Sequence, residues 1–311
     1  MSGAVQYYDR SVGIFLSRDS KVLDLSQFHA KFKVSAADVE SPNNASIRLY
    51  NVGPETITTI KEFSTVRIEA GYASQSGLIF EGEVIQYRVG KENALNSYID
   101  ILAADGDAFY SFAVTNTSVD GKLTVRDAVD QAVRDASDGA LKTGALVGGS
   151  GGVLPRGKVM FGFAKDYVRN GAVTLKSSWS IEAGVVKITP LDSYNPARPI
   201  EINHETGLIG IPEQTQNGVT FKHLMNPRLQ VGDTVRINNG QINQLQFRDP
   251  KAEPVAFDKW TEVIYPANVT ADGTYRIFAV DHEGDTRGTD WYTYGIGLAV
   301  DLSSGTVKPY G

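Results

Sequence analysis

The sequence contains no cysteine among its 311 residues. This absence excludes disulfides, thiolate metal sites and cysteine nucleophiles, and it suits folding in a reducing cytoplasm. A chain of this length buries enough surface to fold without such cross-links, and it predicts two or three domains.

Runs of basic residues are also missing, and the net charge is −6 with a pI near 5.3. A protein that binds nucleic acid or an anionic membrane through phosphates needs a basic surface, so both classes are disfavoured. No stretch approaches the roughly 18 apolar residues of a membrane span, and the first residues lack the apolar core of a secretory leader. We therefore expect no membrane anchor and no standard leader.

The usual catalytic motifs are absent as well. Two His-Glu pairs occur, at 204–205 and 282–283, but the second histidine of a zinc-protease helix is replaced by Leu208 and by Thr286. The G-x-S-x-G string at residues 148–152, GGSGG, lies in a glycine-rich segment and not between a predicted strand and helix, and no pair of acids is marked out for glycoside hydrolysis. The sequence predicts neither an enzyme nor a bound cofactor.

Glycine is abundant, and the segment 139–157 holds seven of the 31 glycines. A phosphate-binding loop needs Ser or Thr after its Gly-Lys pair, whereas Gly157-Lys158 is followed by Val159. A mobile loop or linker is the favoured interpretation. The high glycine content, with 14 tyrosines and 13 phenylalanines, favours a β-rich chain with tight turns.

Three acids, Asp281, Glu283 and Asp285, alternate with other residues near the C-terminus. Their spacing differs from an EF-hand because Gly284 is fourth instead of sixth in the loop. They are weak metal candidates, and a charged turn bonded to Arg287 is favoured instead.

Two segments of the chain repeat each other. Residues 65–71, TVRIEAG, and 234–240, TVRINNG, share five of seven residues. Each copy is preceded by an alternating strand, at 45–51 and at 219–222, and followed by a similar closing strand, at 97–105 and at 293–301. The order predicts two related β-domains, although a short match of this kind also arises by chance.

The residues between the repeats follow a different pattern. A capping box at Thr124 opens a predicted helix, a second helix is predicted from Phe163 to Leu175, and a hairpin turns at Ala183-Gly184. A helix packed on a hairpin forms a small α+β unit. We therefore predict domains at 1–105, 106–200 and 201–311.

The stretch GLIGIPEQTQNGVTFKHLMNPRLQVGDTVRIN, with GTYRI and HEGDTRGTDWYT further on, resembles the baseplate hub protein of contractile-tailed phages. SIRLYNVGPETI and GLIFEGEVIQY resemble the first domain of that family. The resemblance covers nearly the whole chain and is weakest in the middle. It implies a mainly β fold with a smaller α+β part, in which two related tube-like β-barrels flank an inserted middle domain.

The resemblance also implies an assembly and its partners. The chain would form a homotrimer that joins a tail tube protein to a central spike protein among other baseplate proteins, and DNA would pass through without specific binding. Assembly would take place in the host cytoplasm, and the final location would be the virion tail baseplate. The residues expected in packing or interface motifs are Pro212, Asn226, Pro227, Arg236, Asp285, Arg287, Trp291 and Tyr292.

The sequence leaves two other functions open. A glycan-binding or glycan-degrading β-protein would use aromatic side chains and two close carboxylates in a cleft. A hub or spike component of a related contractile injection system would face the same mechanical problem as a phage hub, so the sequence does not separate the two.

Overall fold

A computed structural model describes residues 8–139, 141–144, 151–191, 199–214, 218–237, 273–301 and 306–307. Part of the glycine-rich segment 139–157, namely residues 140 and 145–150, lies outside the described residues.

Seven strands and one helix form the N-terminal β-domain. The helix α1, Pro54–Ile60, begins with a proline at its first position, where the missing N–H costs no hydrogen bond. The strands are β1 Arg10–Arg18, β2 Lys21–Asp24, β3 Ala30–Ala37, β4 Asn44–Tyr50, β5 Thr65–Tyr72, β6 Gln75–Lys91 and β7 Ser97–Ala104.

The middle unit mixes helices and short strands. Its elements are α2 Asp107–Phe112, β8 Val114–Val119, α3 Val125–Ala136, β9 Lys142–Thr143, β10 Lys158–Phe163, α4 Ala164–Thr174, β11 Ser177–Glu182 and β12 Val185–Pro190. The capping box predicted at Thr124 is formed, because its hydroxyl and the Asp127 carboxylate each bond the other's backbone N–H. Gly171 lies where α4 crosses α3, and an added Cβ would come within 2.3 Å of Val129. The close contact between the two helices therefore accounts for a glycine inside α4, although glycine is a poor helix former.

The C-terminal β-domain is built from strands. They are β13 Ile200–Ile202, β14 Leu208–Gln214, β15 Gly218–Leu224, β16 Thr234–Ile237, β17 Thr274–Asp285, β18 Trp291–Asp301 and β19 Thr306–Val307. The predicted fold class, mainly β with a smaller α+β part, is confirmed.

The two β-domains share one strand order. In the first the neighbours run β5-β6-β7-β4-β3, and in the second they run β16-β17-β18-β15-β14. Each series uses five consecutive strands of its domain in the same arrangement. The repeat predicted from the TVRI segments is therefore present in the fold, with Val66 and Val235 on equivalent strands.

The hydrogen-bond registers of the two β-domains match as well as their strand orders. Thr65 pairs with Glu83 in the first domain, and Thr234 pairs with Arg276 in the second. Two residues further along, β6 bulges between Val84 and Gln86, and β17 bulges at the equivalent point after Ile277. Two bulges at the same distance from the repeat are a shared structural feature, since a bulge re-aims every residue after it.

Two cation–π contacts show which residues of the closing strands, β7 and β18, are equivalent. Arg48 lies 3.9 Å from the centroid of the Tyr98 ring, and Lys222 lies 3.7 Å from that of Tyr292. Tyr98 is therefore structurally equivalent to Tyr292. The sequence match instead aligns Tyr98 with Tyr294, two residues further along β18. Alternating strands look alike when shifted by two residues, so the sequence alone does not define this register.

Three larger hydrophobic cores correspond to the three parts of the chain. One lies within residues 14–103, the second within 109–188 and the third within 202–299. The first core also includes Met225 and Trp291 from the C-terminal part, so the two β-domains share packing. No helix in the described part of the chain is long and apolar enough to cross a membrane.

Candidate assembly interface

The two β-domains are joined edge to edge by strand β3 and strand β17. Along one edge, β17 pairs with β18, while on the other it pairs first with β16 and then, from Ala279 to Asp285, with β3. This β3–β17 joint merges both domains into a 14-stranded sheet. It shows how one copy of the repeated domain attaches to another.

Charged side chains line one face of the joint. Lys33 Nζ lies 2.6 Å from Glu283 Oε1 and 3.5 Å from Asp281 Oδ2. These side chains are one third to one half exposed, so each pair contributes only about 0 to 1 kcal/mol. These ion pairs therefore add little to the stability of the fold.

Asp285 organises the turn that follows β17. Its Oδ1 accepts the N–H groups of Arg287 and Gly288 at 2.9 and 2.8 Å and lies 2.9 Å from His29 Nε2. Burial raises the pKa of Asp285, but these bonds outweigh it and hold the pKa below its usual value. The predicted charged turn is formed, and its bond to Arg287 runs through the backbone N–H.

The three acids proposed as weak metal candidates lie beside cationic or imidazole groups. Asp281 and Glu283 contact Lys33, while Asp285 contacts His29 and Lys31. Within the ranges that the structure describes, no group of three His, Asp or Glu side chains has a geometry that could hold a metal ion.

Asn226 and Pro227 connect the C-terminal domain to the N-terminal one. The Asn226 Oδ1 accepts a hydrogen bond of 2.7 Å from Gln75 Nε2, and its N–H donates to Thr293 Oγ1 at 3.0 Å. Pro227 packs on Gly77, where an added Cβ would lie 3.3 Å from the proline ring. Both residues therefore serve the contact between domains.

Trp291 reaches across from β18 into the first core. Its side chain is 1% exposed, its ring meets Phe32 edge to face at 5.5 Å, and its Nε1–H donates to the carbonyl of Gly71 at 3.0 Å. Arg10 lies over the same ring at 5.4 Å. Trp291 therefore fastens the two β-domains together.

Of the other predicted motif residues, Arg287 and Tyr292 are close to Asp285 and Trp291 along the chain, and Pro212 and Arg236 lie on strands β14 and β16. Pro212 is buried beside the bulge in β14, whereas Arg236 is exposed on β16 with the Glu201 carboxylate 3.8 Å away. Arg287 is exposed, and Tyr292 stacks under Lys222. A role for the set in contacts between chains stays a prediction.

A buried ion pair that sequence reasoning missed links β17 to the N-terminal domain. The Arg276 guanidinium donates to the Asp38 carboxylate, and the two side chains are 3% and 7% exposed. Arg276 also donates to the carbonyl of Pro190 at 3.2 Å, which ties in the middle unit. No local pattern could reveal this pair, because its members lie 238 positions apart.

Asp105 attaches the middle unit to the first β-domain. It is 5% exposed, and its carboxylate accepts the N–H of Ala183 at 2.5 Å and that of Gly184 at 3.4 Å, in the turn between β11 and β12. Burial raises the pKa of Asp105 to about 6, the two N–H bonds oppose this, and Glu182 adds to it. The carboxyl group thus holds a turn in place instead of standing free in a cleft.

This raised pKa predicts a pH-dependent stability. The folded state binds the proton more tightly than the unfolded chain, so Asp105 contributes stability that is present below pH 3.8 and lost as the pH rises through about 6. Asp105→Asn stays neutral and keeps an acceptor oxygen. We expect it to be more stable than the parent at pH 8 by about 2 kcal/mol, and much closer to it at pH 4. Urea unfolding at both pH values checks this, with the exposed Asp120→Asn as control; equal differences at both pH values would contradict it.

Among the described residues, the two edges that correspond to those of the β3–β17 joint carry no partner strand. One is the outer edge of β14, which pairs only with β15, and the other is the second half of β6, residues 84–91, which pairs only with β7. These are the edges equivalent to β3 and to residues 277–284 of β17, which meet inside the chain. Open edges of this kind are sites for adding a strand from another chain.

No protein-family model and no curated protein matches the chain. Solved structures do match. The 43 kDa tail protein of prophage MuSo2 from Shewanella oneidensis is 7% identical with a TM-score of 0.57, and the match covers 92% of this chain and 98% of that one. The tail protein from Neisseria meningitidis MC58 is 9% identical with a TM-score of 0.58, covering 94% and 97%.

The chain shares the fold of these tail proteins. The same tail-protein fold occurs in the Escherichia coli c3393 protein, which is 9% identical with a TM-score of 0.54, over 98% of this chain and 80% of that one. That protein is described as a component of the type VI secretion system with structural similarity to the T4 bacteriophage tail proteins gp27 and gp5. The resemblance read from the sequence is thereby confirmed at the level of the fold.

Proposed function

We propose that the chain is a structural subunit of a phage tail, a baseplate hub that works by assembly and without catalytic turnover. Three chains around one axis present six nearly equivalent β-domains. Such a ring fits a sixfold tube on one side and a threefold spike on the other. The observation that carries this proposal is the shared strand order and register of the two β-domains.

The partners follow from this role. They are two further copies of the chain, the tail tube protein, the central spike protein and other baseplate proteins, with the assembly located in the virion tail. DNA passes through the ring without specific binding. Three copies together carry three times the net charge of −6, which discourages DNA from adhering to the wall.

A second candidate function is the hub of a related injection machine. It is favoured by the type VI secretion component among the proteins with this fold. The two roles share the ring and differ in what passes through it.

The assembly is tested by mass and by shape. We expect light scattering to give three times the chain mass of 33.7 kDa at high protein concentration, and electron microscopy to show rings with six lobes around an opening. A twofold particle, or a chain that stays monomeric up to about 1 mM, the weak limit of specific association, would count against the ring.

A further inference from the structure

We infer that the end of β14, residues 212–214, in one copy pairs antiparallel with residues 89–91 of β6 in the next copy, which repeats between chains the β3–β17 joint. The inference rests on the proposed ring and states which strands close it. Each domain has an edge strand at the equivalent position: β3, which pairs with β4, and its equivalent β14, which pairs with β15. Each domain also has one long bulged strand, β6 or β17. Inside the chain β3 pairs with β17, so β14 and the second half of β6 keep open edges.

The exposure of equivalent residues supports this pairing. Counting from the bulges, Val89 of β6 corresponds to His282 of β17. His282 pairs with Val34 in the joint and is 5% exposed, whereas Val89 is 52% exposed. In the transferred register Val89 lies opposite Gln214, so a strand laid along this edge would cover the Val89 side chain.

The charges at equivalent positions are complementary with their signs exchanged. Lys33 of β3 lies beside Asp281 of β17, and the corresponding residues are Glu213 of β14 and Arg88 of β6. Both residues are exposed in the single chain. The transferred register therefore places an acid of one copy beside a base of the next, as opposite charges are placed across paired strands elsewhere. It also sets Gln214 opposite Val89.

The open edge of β14 is protected against other partners. The strand carries a bulge around Gly210, which has a φ of +71°, and Pro212 has no N–H to donate. Indiscriminate strand addition is therefore blocked at this point, and pairing is left to Glu213, Gln214 and the neighbouring chain. A matching edge with a base at the right position is favoured over a generic strand.

The pairing closes a ring because it is head to tail. The β14 edge belongs to the C-terminal domain and the β6 edge to the N-terminal domain, so each chain offers one edge of each kind. Domains then alternate along the assembly, and three chains give six domains joined by two kinds of equivalent joint.

Disulfide trapping tests the register directly, because the natural chain has no cysteine. The double variant Gln214→Cys with Val89→Cys, oxidised at high protein concentration, should give a covalent trimer on a non-reducing gel. The control is Gln214→Cys with Val22→Cys, since Val22 is 66% exposed on β2 at the opposite end of the sheet. We expect no cross-linked trimer from the control. Circular dichroism before oxidation verifies that each variant is folded.

The possible results of the cross-linking experiment test the strand pairing and the threefold ring separately. A trimer by light scattering without the Gln214–Val89 cross-link overturns the strand pairing and leaves the ring standing. A ladder of cross-linked chains without a closed trimer supports the pairing and overturns the threefold ring. Monomers with no cross-link overturn both.

Charge exchange provides a second measurement. Arg88→Glu or Glu213→Arg alone, in the cysteine background, should reduce the yield of cross-linked trimer by about two- to fivefold, since like charges would face each other. The double exchange should restore the parent yield. If the double variant cross-links no better than either single one, these two side chains are not neighbours.

Discussion

Trp291→Ala is expected to lower the free energy of unfolding by about 3 to 5 kcal/mol. The tryptophan is 1% exposed and lies in the core of the N-terminal domain although it belongs to β18. Its removal leaves a cavity against Phe32 and leaves the carbonyl of Gly71 without the indole donor. The loss therefore falls on the contact between the two β-domains.

Urea unfolding followed by circular dichroism measures this effect. Trp291→Phe is the matched control, because it keeps an aromatic ring in the site and removes the N–H bond to Gly71. We expect it to cost about 1 to 3 kcal/mol, less than alanine, since the larger cavity term is avoided. Equal losses for the two variants would mean that the ring does not fill the space between the domains.

Asp38→Ala is expected to destabilise the fold by about 3 to 5 kcal/mol, because it leaves the Arg276 guanidinium buried without its carboxylate. Burial already lowers the pKa of Arg276, and Asp38 counteracts this. The guanidinium keeps its proton at any ordinary pH, so the charge itself remains in the interior. The hydrogen bond to the Pro190 carbonyl does not replace the lost charge partner.

The control replaces both partners. Asp38→Leu with Arg276→Met removes the two charges together and keeps much of the buried volume, so we expect it to cost far less than Asp38→Ala. Thermal and urea unfolding of the three proteins measure the difference. A double variant as unstable as the single one would show that the pair acts through packing and not through its charges.

Several elements could be predicted from the sequence because their signals are local. The capping box at Thr124, the proline that opens α1 and the turn at Ala183-Gly184 each act within a few residues. The TVRI repeat predicted two related domains for a different reason. Related domains keep the same inward-facing positions, so part of their sequence remains recognisable.

The candidate interface was predicted only in part. Asn226, Pro227, Asp285 and Trp291 were singled out, and the structure brings them together where the two β-domains meet. Their partners were not predicted, since Gln75 and His29 carry no feature that indicates a contact with residues 151 and 256 positions away. The Arg276–Asp38 pair was missed entirely for the same reason.

The sequence by itself determined the class of the fold, the duplication and the ends of several elements, because hydrophobic period, caps and turn residues are properties of neighbouring residues. Only the tertiary structure decided that β3 pairs with β17 and that β14 and residues 84–91 keep open edges. An edge strand offers the same backbone groups to any partner. The choice between partners depends on which surfaces the folded domains bring together, and no local pattern records it.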